Sequence, residues 1–87
     1  MDMIRLLRID RVLDVRGVKK TKHYSDVASG LWTKPVPISE GLRGWPDNET
    51  RELVAARIAG KTDDEIRALV TRLHAMRARL GAELEPT

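Results

Sequence analysis

The chain has 87 residues, 33% of them charged, with a net charge of +3 and no cysteine. That length supports one domain of marginal size, which a partner or a second copy would help to stabilise. The missing cysteine excludes disulfides and thiolate metal sites and fits a reducing cytoplasm, and no apolar run reaches the roughly 20 residues of a membrane span or builds a signal peptide.

Ile4 to Leu7 reads as a short strand or an extended lead-in. Asp10 reads as the N-cap of a short first helix, with Ile9, Val12 and Leu13 on its apolar side. Gly17 suits the left-handed residue after a helix, and Val18 plugs the turn. A second helix follows over about Lys20 to Ser29, stopped by Gly30. Pro35 and Pro37, one residue apart, forbid helix and force an extended edge path. Ser39-Glu40-Gly41 then reads as a hairpin turn and Leu42 to Trp45 as the returning strand. Trp32 and Trp45 flank that hairpin and are expected to be core.

Pro46-Asp47 opens a third helix, with Asp47 and Glu49 near its positive end and Leu53, Val54 and Ile58 as its buried stripe. Gly60 closes it. Thr62-Asp63-Asp64-Glu65 is a capping box for a fourth helix over about Thr62 to Leu80, ended by Gly81. The predicted class is mainly α with a small β-hairpin: a winged helix-turn-helix plus a C-terminal amphipathic helix. Residues 1–60 would form the DNA-binding domain, 61–82 the C-terminal helix for packing or self-association, and 83–87 a frayed tail.

Arg5-Leu6-Leu7-Arg8, Gly17-Val18, Tyr24, Gly30, Lys34-Pro35-Val36, Gly44-Trp45 and Ala55-Ala56-Arg57-Ile58-Ala59 occur here in a fairly specific order and spacing. Over about residues 4–60 the chain resembles the AlpA family of phage-derived regulators, which is similar to the excisionases, or recombination directionality factors. The resemblance implies a winged helix-turn-helix related to the MerR type that binds DNA. It implies promoter regulation or the steering of an integrase, a tyrosine recombinase, toward excision. It also implies several copies lined up along DNA, in a bacterial or phage-encoded protein of the nucleoid. The family opens its reading helix with Ser-x-Ser/Thr-x-Ile-Tyr; this chain has Lys19 in place of the Ser, His23 in place of the Ile, and Asp26 where Leu is common.

The basic excess lies in the first half. Residues 1–45 hold nine Lys/Arg against five Asp/Glu, or +4, and residues 46–87 hold seven against eight, or −1. Double-stranded DNA would be met there, because phosphate contacts dominate nucleic-acid affinity. Lys19, Lys20, Thr21 and Lys22 stand at the N-terminal end of the second helix, the end that enters the major groove in helix-turn-helix proteins. Three lysines there oppose the helix dipole, so stability alone does not choose them; the bland alternative is a basic solvated turn. Ser25 completes this face. A helical wheel buries Tyr24 with Val27, Ala28 and Leu31 and exposes His23 and Asp26. The family pattern instead buries position 23 and frees Tyr24 for a phosphate.

Wing candidates are Lys34, Ser39 and Arg43, against the alternative of ordinary surface charge. Arg5, Arg8, Arg11 and Arg16 are further phosphate candidates. Ile66, Leu69, Val70, Leu73, Met76 and Leu80 form an apolar seam on the fourth helix, which either folds back over the domain, pairs with a second copy, or docks an integrase. Its arginines, Arg67, Arg72, Arg77 and Arg79, are candidates for phosphate or acidic partners. No Gly-rich phosphate loop, nucleophile elbow or metal-ligand spacing occurs, so no catalytic residue, cofactor or metal is expected. The rival reading is a protein-interaction module acting through the C-terminal helix.

Overall fold

The computed structural model describes residues 3–84, with the backbone alone for residues 83 and 84; residues 85–87 of the expected tail lie outside the described residues. The order is β1 (Leu6–Leu7), α1 (Ile9–Arg16), α2 (Lys20–Ala28), β2 (Val36–Ser39), β3 (Leu42–Pro46), α3 (Asp47–Ile58) and α4 (Asp63–Leu84). The three strands make one antiparallel sheet in the order β1-β3-β2, so the expected hairpin gains a third strand from the lead-in.

α1 begins one residue before the expected cap. The Arg8 carbonyl accepts from the N–H groups of Arg11 and Val12, both at 3.1 Å, and Asp10 sits inside the first turn, where its charge acts on the helix dipole. At the other end Gly17 takes φ 71°, and its N–H and that of Val18 both reach the Leu13 carbonyl, at 2.8 and 3.4 Å. This left-handed cap turns the chain directly into α2. The β2–β3 hairpin carries an irregularity between Pro37 and Ser39, where proline cannot donate to the ladder.

β1 is joined to the start of α3 by a reciprocal clamp. The Asp47 N–H donates to the Arg5 carbonyl at 2.8 Å, and the Arg5 N–H donates to Asp47 Oδ1 at 3.1 Å. On β3, between its neighbours β1 and β2, Gly44 leaves no room for a side chain. A Cβ there would meet Ile38 Cδ1 at 2.8 Å and the Leu7 carbonyl oxygen at 2.9 Å. Gly44→Ala is therefore expected to lower stability by about 1–3 kcal/mol, the usual cost of overpacking, in a urea titration. An unchanged midpoint would show that the sheet yields there.

The core gathers Val12, Leu31, Trp32, Trp45, Leu53, Ile66, Val70 and Leu73. Both tryptophans are buried in it, as expected, and α4 contributes three of its members. Residues 61–82 are thus part of the one core, and α4 folds back over the domain. Ile66, Val70 and Leu73 are taken up by the chain's own packing, and Leu69 is half-buried, so the expected partner seam shrinks to Met76 and Leu80, 42% and 39% exposed. Ile58 departs from the expected α3 stripe: it is 81% exposed, while Thr50 and Leu53 take the inward positions.

The capping box forms as read: the Thr62 N–H donates to Glu65 Oε1 at 2.9 Å and the Glu65 N–H to Thr62 Oγ1 at 3.2 Å. Gly81, in contrast, does not end α4, which runs on to Leu84. Glycine stops a helix only where it adopts the left-handed conformation, and Gly81 is not among the positive-φ glycines. No described helix is long and apolar enough to cross a membrane.

Candidate nucleic-acid interface

α2 starts at an extended residue, Lys19, that offers no side-chain cap, and its first turn holds no acidic residue. Each of the other three helices has at least one acid in its first turn. The N–H groups opening α2 are therefore left to solvent beneath Lys19, Lys20, Thr21 and Lys22, all four exposed. An uncapped helix start under several ammonium groups can receive an anion from both donors and charge. Ser25 is exposed on the same helix, and Tyr24 is 46% exposed.

The helical-wheel expectation for this segment is corrected. His23 and Asp26 are buried, at 0% and 1% exposure, and Tyr24 faces outward. Burial of position 23 with Tyr24 outside is the alternative drawn from the family pattern. The reason lies in α1. Arg16 turns inward, stacks over the Trp32 ring at 4.1 Å, and binds both Asp26 Oδ2 and His23 Nδ1, the latter at 2.9 Å. Arg16 is thereby withdrawn from the expected phosphate contacts. Lys22 Nζ holds the other Asp26 oxygen, Oδ1, at 2.9 Å while its side chain stays 60% exposed. Asp26 thus has a separate cation on each oxygen, and Lys22 keeps donors free for another acceptor.

The electrostatics follow from this packing. Burial alone would raise the Asp26 pKa, but the hydrogen bonds and charges of Arg16 and Lys22 outweigh it and hold the carboxyl below its usual range. His23 is pushed from 6.5 down to about 4, first by burial and then by the charge of Arg16, against the smaller opposing pull of Asp26. Its ring meets Trp45 edge-on with centroids 4.7 Å apart, and Tyr24 lies 6.4 Å from the same indole. Trp45 belongs to β3, so two α2 rings, His23 and Tyr24, meet the hairpin at one indole.

The hairpin leaves Lys34, Ser39 and Arg43 exposed. Its base is fixed by α4. The Lys34 N–H donates to His74 Nε2 at 3.0 Å, and Arg77 donates to the Lys34 carbonyl at 2.7 Å while binding both oxygens of Glu49 at 2.6 and 2.7 Å. Glu49 is buried at 3% exposure, so Arg77 serves the interior instead of a phosphate or an acidic partner. The His74 pKa is lowered, by burial first and by the charge of Arg77 next. Arg67, its side chain 46% exposed, reaches across the surface to the Ser29 carbonyl at 3.0 Å, just past the end of α2.

The structure brings the α2 candidates together near one exposed helix start, and leaves Ser39 and Arg43 on the β2–β3 strand pair and Lys34 in the segment leading into it. The Arg16–His23–Asp26 cluster was missed by sequence reasoning; its signals were the i, i+4 spacing of Lys22 and Asp26 and the family pattern that buries position 23. No family model, curated protein or solved structure matches the chain.

Proposed function

We propose that this protein is a sequence-specific binder of double-stranded DNA built on a winged helix-turn-helix, with α2 as the reading helix and the β2–β3 hairpin as the wing. The observation that carries the proposal is the start of α2: uncapped, free of acids and exposed, under three lysines. Lys19, Lys20 and Thr21 are the free donors for base edges or phosphates, and Lys22 is a cation held in place by Asp26. Tyr24 and Ser25 add hydroxyls, and Lys34, Ser39 and Arg43 supply the wing contacts. The likeness to AlpA-type regulators supports the further step, a role as excisionase or transcriptional regulator of a mobile element, with self-association along DNA and an integrase as partner.

Binding to a duplex selected from a random-sequence pool tests this. Affinity is expected to fall steeply between 50 and 200 mM salt, as counterion release requires. Lys19→Glu with Lys20→Glu is expected to weaken binding by about ten- to a hundredfold and to flatten the salt dependence by about one log unit per lysine, with the far-ultraviolet dichroism unchanged. Salt-insensitive binding, or no selected duplex at all, would favour the rival reading of a protein-interaction module.

A further inference from the structure

α1 and α3 both start beside β1. α1 follows β1 directly, and Asp47, the first residue of α3, is clamped to Arg5 just ahead of that strand. Between the two helices lies an open groove of about 490 Å³. Its lining is sorted by chemistry. On α3, Arg51, Val54 and Ile58 share one stripe at i, i+3 and i+7, with the arginine nearer the start of the helix and Ile58 at its last residue. On α1, Arg11 and Val15 repeat that order four residues apart. With Arg5, they put the cations toward β1 and the aliphatic side chains away from it. Val15 and Ile58 are 44% and 81% exposed, so the apolar end faces water.

The charge at the other end is unpaired. Among the described residues, none of Arg5, Arg11 and Arg51 makes an ion pair, although Asp47 stands one helical turn from Arg51. Asp47 Oδ1 accepts from the Arg5 N–H at 3.1 Å, and the Thr50 hydroxyl donates to the Pro46 carbonyl at 3.3 Å. Three guanidiniums beside one carboxylate leave this end cationic, and guanidinium cannot relieve that by losing its proton.

Size decides between kinds of occupant. The volume falls within the roughly 300–1,000 Å³ of small-molecule sites. Ten residues line the groove, against about 20–30 on each side of a stable protein interface. From Arg51 to Ile58 the helix rises about 10 Å at 1.5 Å per residue, room for a medium-length alkyl chain or an aromatic body.

We propose that the α1–α3 groove is a binding site for a small amphipathic acid. Its anionic head meets the guanidiniums of Arg5, Arg11 and Arg51, whose planar forks match a carboxylate. Its apolar body lies along Val54 and covers Val15 and Ile58, removing their exposed surface from water. No residue of α2 or of the β2–β3 hairpin lines the groove, and the site stands apart from the DNA-binding reading.

Titration of the full chain with decanoate, followed by amide NMR, tests the site. Saturable shifts are expected within residues 5–15 and 47–58. Decanol keeps the tail without the head, and acetate keeps the head without the tail; each is expected to bind about tenfold more weakly or worse, the scale of losing a charge-assisted hydrogen bond. Arg11→Gln with Arg51→Gln is expected to weaken decanoate by about tenfold or more and to leave decanol unchanged. Ile58→Asp, which sets a carboxylate at the tail end, is expected to abolish decanoate binding. All three positions are exposed, so the variants are expected to keep the wild-type dichroism. Arg79→Gln removes a cation from α4, outside the groove, and is expected to change nothing, which separates the site from net charge. Decanol binding as tightly as decanoate would overturn the proposal, and so would shifts centred on another face. A groove that ignores decanoate but takes up an acidic peptide would be a protein-docking site, and that result would overturn it too.

Discussion

Replacing Asp26 by leucine is expected to destabilise the protein by about 3–5 kcal/mol, the cost of breaking a buried ion pair from one side. Arg16 is the reason. Its side chain is 7% exposed, and guanidinium cannot escape burial by losing its proton. Without the carboxylate it keeps only the His23 acceptor and the Trp32 face. Stability for a chain of 87 residues is on the order of 4–13 kcal/mol, so the loss is a large share of the whole. Arg16→Met together with Asp26→Leu is expected to recover most of it, because an apolar pair of similar volume carries no desolvation cost. Urea titrations of the two single variants and the double variant measure the coupling. Additive losses would mean that the pair does not act as a unit, and that burial of each group is sustained by something else.

This pair also marks where sequence reading stops. Local chemistry identified the left-handed stops at Gly17 and Gly30, the turn at Gly41, and the Thr62–Glu65 box, because each depends on residues within a few positions of one another. The partners of the buried polar groups are not local. Arg16 lies 10 residues from Asp26, and Arg77 lies 28 residues from Glu49. A helical wheel scores a charged residue as outward unless a distant cation is known to cover it, so it exposed His23 and Asp26 and buried Tyr24. The seam on α4 was left open between the domain and a partner for the same reason, and Ile66, Val70 and Leu73 join the core beside Leu53 and Trp45. In the candidate interface, the exposed lysines were legible, while the anchoring of the hairpin through His74 and Arg77 was not. That anchoring uses the backbone of Lys34, which has no side-chain signature.

Lowering the pH from 7.5 to 4.5 is expected to cost about 3 kcal/mol of stability through His23. Its pKa falls from 6.5 in the unfolded chain to about 4 in the native one, and each pKa unit corresponds to about 1.4 kcal/mol. Between those two values the unfolded chain binds a proton that the folded chain refuses, so the contribution is complete above 6.5 and is lost as pH falls toward 4. Structure gives the cause: Nδ1 accepts from Arg16, and a proton there would set an imidazolium against a guanidinium with no exposed surface to relieve it. Asp26 acts in a separate window. Its carboxyl is held below 3.8, so its contribution persists above that value and disappears only as pH falls further, through the folded pKa. His74 is lowered in the same direction as His23, so its contribution has the same sign and is lost as pH falls below 6.5. His23→Leu is therefore expected to flatten the stability profile between pH 6.5 and 4.5 and to leave only the part due to His74. Parallel profiles for the two proteins, or a His23 ring proton titrating near 6.5 by NMR, would place the acid sensitivity elsewhere and would mean that the Arg16 cluster opens without resistance.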